Sequence, residues 1–327
     1  MKKAIAARMT SYWRSVLICG GLGALALGCV VAQGVVITPW VLGGQGTMTR
    51  KSQGVAWTLD MTVASPGSLG GVGGVNSGDM FALASDTVYR YRYNGNPYPL
   101  GSNTGAVFAN GPAMFSDIYA NISRMITGPD NMVYITLTNH FQGVYRLDPL
   151  TGARQTVATM GSPGGLAFGP DANSDGNPDL YVGSGTSVKV WDTTTLTPAT
   201  PITTLTTGAP SGIGSLGFIG NEMVVSAGRY LYVYSALDGS AIDLGYGPGV
   251  FSNYSFNWPG DMAIGYNGNL YVAETFGSVQ MYTSSGGTGT AVGGSGSYYA
   301  MGFYNLPEPA SLALLALGGL MLLRRRK

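Results

Sequence analysis

From Gln33 to Asn305 the apolar residues come in short β-branched and aromatic runs, and no long stretch keeps a helical period. Met132-Val133-Tyr134-Ile135 is typical. Gly, Pro, Asn and Asp bound these runs, which is the pattern of strands separated by tight turns.

The runs recur. Gly128-Pro129-Asp130 precedes Val133-Tyr134-Ile135, and Gly169-Pro170-Asp171 precedes Leu180-Tyr181-Val182. Met223-Val224-Val225 and Leu270-Tyr271-Val272 continue the series. The equivalent positions Tyr134, Tyr181, Val224 and Tyr271 lie 47, 43 and 47 residues apart. A third run follows in each copy: Gly143 to Leu147, Val188 to Trp191, Leu231 to Tyr234 and Val279 to Tyr282. A fourth strand is expected near the Thr-rich ends. Asp148 to Gly152, Asp238-Gly239 and Asn267-Gly268 read as turns, because these residues tolerate or cap them. A weaker copy spans Asp79 to Tyr91, and a degenerate first copy is expected between Gly34 and Val75.

A four-stranded unit at this period predicts an all-β propeller, since one sheet buries its faces only against its neighbours. The length of 33–305 predicts about six four-stranded blades. Five or seven blades and a β-sandwich are the alternatives. Tyr298 to Tyr304 supplies a last strand that would pair with the N-terminal one and close the ring. The copies resemble NHL-type and related lactonase-like propeller repeats.

The two ends differ from this body. Residues 1–32 carry Lys2, Lys3, Arg8 and Arg14, then an apolar run from Val16 to Val31, then Val30-Val31-Ala32. Basic region, apolar core and small-residue exit are the parts of a secretory signal peptide. An uncleaved membrane helix and a lipoprotein box at Leu27-Gly28-Cys29 are the alternatives. At the other end, 306–327 reads Leu306-Pro307-Glu308-Pro309-Ala310-Ser311, then Leu312 to Leu323, then Arg324-Arg325-Arg326-Lys327. The apolar stretch is short for a permanent span, which needs about 20 residues. Its basic end would stay cytoplasmic.

Charge follows the same division. Of 17 Lys and Arg, four lie in the first fourteen residues and four in the last four. Of 16 acids only Glu308 lies in the tail, so the body is near −6. A mildly acidic body without a basic patch has no attraction for nucleic acid. Both cysteines, Cys19 and Cys29, precede the body, which therefore offers no disulfide, thiolate or cysteine metal site.

The tail resembles the PEP-CTERM sorting domain in the order of its parts, Pro307-Glu308-Pro309, the apolar run and the basic end. That resemblance implies handling by an exosortase-type sorting enzyme, after signal peptidase at the N-terminus. It also implies a place in the cell envelope or outside it, often with biofilm matrix. The tail would anchor the chain transiently or permanently.

The strongest chemical candidate is Asp171-Ala172-Asn173-Ser174-Asp175-Gly176-Asn177-Pro178-Asp179. Hard oxygen donors around one tight loop suit Ca²⁺. An EF-hand loop would need an acid where Val182 stands. The segment instead resembles the calcium loop of FG-GAP and related propeller repeats. By that resemblance Asp171, Asn173, Asp175 and Asp179 ligate by side chain and Asn177 by its carbonyl, and the ion is structural. The alternative is a hairpin turn held by Asx hydrogen bonds.

Other candidates are thinner. His140 is the single histidine, so a Ser-His-Asp triad or histidine metal site would rest on it alone. Asp60, Asp79, Asp117, Asp261 and Glu274 are carboxylates without a fixed partner, and a glycosidase-like pair of Asp261 and Glu274 is one arrangement. Tyr254, Phe256 and Trp258 alternate, either as a sugar-stacking face or as an inter-blade core stripe. No catalytic residue is assigned. The expectation is an exported, non-enzymatic propeller that binds polysaccharide or a surface protein. The alternative is an extracellular propeller enzyme, a lactonase-like hydrolase or polysaccharide lyase.

Overall fold

The structure is a computed structural model. It describes residues 39–52, 58–74, 80–84, 87–91, 106–109, 124–138, 142–194, 200–252, 254–256, 259–265, 269–283, 287–292 and 298–303. All of them lie in the compact unit Ile37–Lys327. The expected signal peptide, the expected sorting tail, Asp79, Asp117, His140, Trp258 and the Asn267-Gly268 turn lie outside the described residues. For Asp60 only the backbone is described.

Among the described residues 22 strands form, and there is no helix. The chain begins with β1 (Pro39–Ser52), β2 (Thr58–Gly74), β3 (Met80–Ala84), β4 (Thr87–Tyr91) and β5 (Ala106–Ala109). One sheet follows from β6 (Met125–Thr127), β7 (Val133–Leu137), β8 (Gly143–Leu147) and β9 (Arg154–Thr159). The next is β10 (Pro163–Gly169), β11 (Asp179–Ser184), β12 (Ser187–Trp191) and β13 (Thr203–Thr206). Another is β14 (Ile213–Ile219), β15 (Glu222–Ala227), β16 (Tyr230–Ser235) and β17 (Val250–Ser252). The last is β18 (Pro259–Ile264), β19 (Leu270–Glu274), β20 (Val279–Tyr282) and β21 (Thr290–Ala291). These four sheets are antiparallel meanders with four strands each, at the expected repeat.

The first and last described strands complete the rest. The strand β22 (Tyr298–Phe303) pairs with β1, with Trp40 opposite Phe303 and Leu42 opposite Met301. The remainder of β1 pairs with the first part of β2. From Leu69 onward β2 leaves β1 and pairs with β3, which continues to β4 and β5. The six-stranded sheet is therefore two blades that share β2. In one, β22 is innermost; in the other, the Leu69–Gly74 part of β2 is. The inner strands β2, β6, β10, β14, β18 and β22 follow one another around a ring. This is a β-propeller whose last strand closes on its first. The expected closure is observed. The expected first copy differs: 34–75 is not a blade by itself, because β1 and β2 are divided between the closing blade and the next one.

Packing between blades explains the repeated Gly-Pro-Asp and Tyr. Tyr134 of β7 meets Phe168 of β10 edge to face at 5.0 Å, and Tyr181 of β11 meets Phe218 of β14 at 4.8 Å. These two second-strand tyrosines thus pack on the inner-strand phenylalanine of the next blade, and both are fully buried. Glycine ends the inner strand because a Cβ at Gly169 would lie 2.5 Å from Phe218 Cζ and 2.8 Å from Tyr181 Cε2. The phenols are satisfied locally: Tyr181 donates to the Pro170 carbonyl at 3.0 Å and Tyr134 to Asp130 Oδ2 at 2.9 Å. Burying such a ring is worth about 1.5–3 kcal/mol before its geometry is counted.

Candidate functional site

Inner strands of a propeller line its axis, and here the two ends of that axis differ. The C-terminal halves of the inner strands surround a cavity of about 200 Å³. Its wall includes Ile126, Phe168, Phe218, Met262, Ile264 and Met301. Among the described residues Thr127 is the polar side chain of that wall. The mouth is apolar.

At the N-terminal ends one side chain reaches across the described inner strands. Arg124, just before β6, donates from Nε to the Gly214 carbonyl of β14 at 3.1 Å and from Nη2 to the Gly260 carbonyl of β18. Its Nε also lies 3.7 Å from Asp261 Oδ1. With β10 standing between β6 and β14, these bonds carry the guanidinium across the axis. The inner strands approach closely at this end, where a Cβ at Gly165 would lie 2.5 Å from the Ser215 backbone.

Asp261 is buried and accepts from the backbone N–H of Met262 at 2.9 Å and of Met301 at 3.3 Å. It therefore ties β18 to the closing strand β22. Burial pushes its carboxyl up to about 6, against the opposing pull of Arg124. The residue expected as half of an acid pair is a structural member of the axial tie. Its expected partner Glu274 is also buried, but its Oε2 takes the N–H of Ser278 at 3.2 Å and holds the β19–β20 turn. The Tyr254, Phe256, Trp258 alternation divides. Phe256 is fully buried beside Tyr282, at a centroid distance of 6.2 Å, so it is core. Tyr254 stays partly exposed and packs edge to face on Phe256 at 4.7 Å.

The Asp171–Asp179 loop joins β10 to β11 on the mouth side. Ser174 and Gly176 take left-handed backbone with φ of 63° and 93°, which coils the loop. Its carboxylates accept its own N–H groups. Asp171 takes those of Asp175 at 3.1 Å and Gly176 at 2.6 Å, and Asp175 takes that of Asn177 at 2.8 Å. Asn173 Oδ1 accepts from Asp175 N at 3.0 Å. Those bonds, the Gly176 N–H first, hold the Asp171 carboxyl below its ordinary value.

Asp179 is different. It is fully buried, its Oδ2 accepts from Ala172 N at 2.7 Å, and its Oδ1 has no hydrogen-bond partner. Burial raises its pKa, and the nearby charges of Asp171, Asp175 and Asp192 add to the rise. The five residues expected to ligate an ion thus share one loop. As they stand, no three His, Cys, Asp or Glu side chains among the described residues form a ready metal cage.

No family model matches the chain, and no curated protein matches it. Solved structures do. A protein of unknown function from Bacteroides caccae superposes with a TM-score of 0.58 at 9% identity, over 82% of this chain and 98% of that one. A chain of a nidogen/laminin complex gives 0.57 at 9% identity, over 81% and 98%. The WD40 β-propeller domain of Doa1 gives 0.54 at 10% identity, over 80% and 82%. At such identities these likenesses establish the propeller fold and nothing about activity.

Proposed function

We propose that this chain is an exported β-propeller that binds a glycan or protein at the cell surface or in the extracellular matrix, without chemical turnover. The carrying observation is the axis. Its open end is walled by Ile, Phe and Met side chains, and its other end is occupied by Arg124, already engaged with Gly214, Gly260 and Asp261. A lactonase-like hydrolase or lyase would need acids converging on that axis with a metal, and among the described residues Asp261, beside Arg124, is tied into the fold. Export rests on the basic and apolar pattern of 1–32. Handling by an exosortase-type enzyme rests on Pro307-Glu308-Pro309 with the apolar and basic segments after it. The test pairs fractionation with an activity screen. The chain should be found in the envelope or medium and should lose that place when Pro307 and Glu308 are both changed to alanine. Turnover of lactones or polysaccharides above background would refute the binding role, and cytoplasmic retention would refute export.

The Asp171–Asp179 loop fits a structural calcium ion. Its donors are oxygens, its backbone is already coiled, and Asp179 Oδ1 is a buried acceptor without a donor. Asp171, Asn173, Asp175 and Asp179 would hold the ion by side chain and Asn177 by its carbonyl. The ion would neutralise carboxylates that now raise one another's cost. It would require Asp171 and Asp175 to turn from loop N–H groups toward a common centre. Calorimetric titration of the chelated chain should give saturable heat that Asp175→Ala abolishes.

A further inference from the structure

The two faces of the propeller differ in charge as well as in their openings. The mouth face carries the turns that leave the inner strands and the turns between third and fourth strands. The opposite face carries the turns between second and third strands and the links between blades. Eleven acids have described side chains. Of these, Asp261 and Glu274 belong to the opposite face, which also has Arg124 and Arg229. The other nine lie on loops or strand ends of the mouth face, against Arg90, Arg146 and Arg154. Among the described residues the mouth face is therefore near −6 and the opposite face near zero. A calcium ion in the Asp171–Asp179 loop would take two of those charges and leave the sign unchanged.

The local reason is turn chemistry. Mouth-face turns are capped by aspartate: Asp148 takes the N–H of Leu150 at 2.7 Å, Asp192 that of Thr194 at 2.6 Å, Asp238 that of Ser240 at 3.0 Å and Asp243 that of Gly245 at 2.8 Å. The bonds from Leu150 and Ser240 hold the Asp148 and Asp238 carboxyls below their ordinary value, so both stay ionised. At the centre of this acidic face lies the apolar axial cavity of about 200 Å³. That is below the roughly 300 Å³ at which small-molecule sites begin, and it suits one large side chain. Met125, Met262 and Met301 are among its walls, and methionine repacks readily around an inserted group.

We infer that the mouth face docks a cationic segment of another protein, which seats one large apolar side chain in the axial cavity and sets lysines or arginines against the surrounding carboxylates. The inference deepens the binding role proposed above and rests on it. Exposed apolar side chains stand on both faces and do not choose between them, so charge complementarity selects the occupant. The acids repel an anionic lipid surface, an acidic polysaccharide and a second copy of this acidic body. A neutral glycan gains nothing from them, and a small cation leaves the apolar walls unfilled. A polypeptide carries both an apolar anchor and flanking cations. An anchor in a desolvated centre within a charged rim concentrates binding energy and speeds encounter.

The test pans random peptides of about twelve residues, displayed on phage, against the full chain immobilised in mild nonionic detergent with calcium present. Enriched peptides should carry a net positive charge and a large apolar residue. A synthetic copy should bind the full chain, and its Kd should weaken about tenfold when that residue becomes serine. It should weaken again when salt rises from about 50 to about 500 mM. Both changes leave the protein untouched, so a folding defect cannot mimic them. On the protein, Thr127→Trp should fill the cavity and weaken the same Kd about tenfold. Asp148→Asn with Asp238→Asn keeps both turn caps, removes two charges and should weaken it severalfold at an unchanged melting temperature. The inference is overturned by no enrichment, by enrichment of neutral or acidic peptides, or by a Kd indifferent to salt or to loss of the apolar residue. Those results leave the general binding role standing where a polysaccharide still binds the chain, whereas turnover of a bound ligand would remove that role too.

Discussion

Replacing Asp261 by asparagine should remove a component of stability that falls as pH rises from acid toward neutral. In the folded chain burial lifts the Asp261 carboxyl to about 6 from an ordinary 3.8. The folded state therefore holds a proton that the unfolded state has released between those values. Stability from this group is fully present below pH 3.8 and is lost as pH rises through about 6. Two pKa units correspond to about 3 kcal/mol. For a chain of this size that is about 5–10 °C in Tm. Asp179 and Glu222 are also raised by burial and share the sign, so the difference between Asp261→Asn and the parent isolates Asp261. The amide cannot accept from both Met262 and Met301, which costs about 1–3 kcal/mol at every pH. The readout is therefore the slope of Tm from pH 4 to 7 by calorimetry, not its level. Arg124→Met should move the loss to higher pH, because Arg124 opposes the rise. Parallel parent and Asp261→Asn profiles across that window would refute the burial-raised carboxyl.

Gly169→Ala should cost about 1–3 kcal/mol in urea denaturation, because its Cβ meets Phe218 and Tyr181, and trimming Phe218 to leucine should recover part of the loss in a double-mutant cycle. Tyr181→Phe should cost about 1 kcal/mol through the lost bond to Pro170. Stopping the chain before Tyr298 removes β22 and leaves the inner edge of β1 unpaired, so size exclusion should show aggregates instead of a monomeric ring.

The strands were legible because their signals are local. Gly-Pro-Asp punctuates the end of an inner strand, and a β-branched or tyrosine run follows within a few residues. Turn caps were equally plain: Asp148 takes the N–H groups of Leu150 and Thr151, and Asp238 takes that of Ser240, as their clusters suggested. Ring closure was readable too, since a strand-like run at 298–304 needed a partner and a propeller offers one place for it. The division of β2 was not. One continuous 17-residue strand serves two blades, and only the partners change at Leu69. Composition does not register a change of partner.

The axial tie shows the other limit, and why the expected chemistry shifted to architecture. Arg124 reaches partners 90 and 136 residues away, so nothing near it in sequence announces its role. The signal lay in the repeat itself. Gly164, Gly214 and Gly260 occupy equivalent places at inner-strand starts, and at Gly164 a Cβ would run into the Ile213 carbonyl of the next blade, so the strands crowd there. An arginine before one such start and an aspartate just inside another are then complementary charges brought to one end of one passage. In water either would be an ordinary surface residue. In a buried passage the carboxylate is expensive, and Arg124, Met262 and Met301 offset part of that cost. Removing one partner leaves a buried charge exposed to that cost, which is the kind of loss, about 3–5 kcal/mol, that holds a ring shut. A group committed in this way holds the fold.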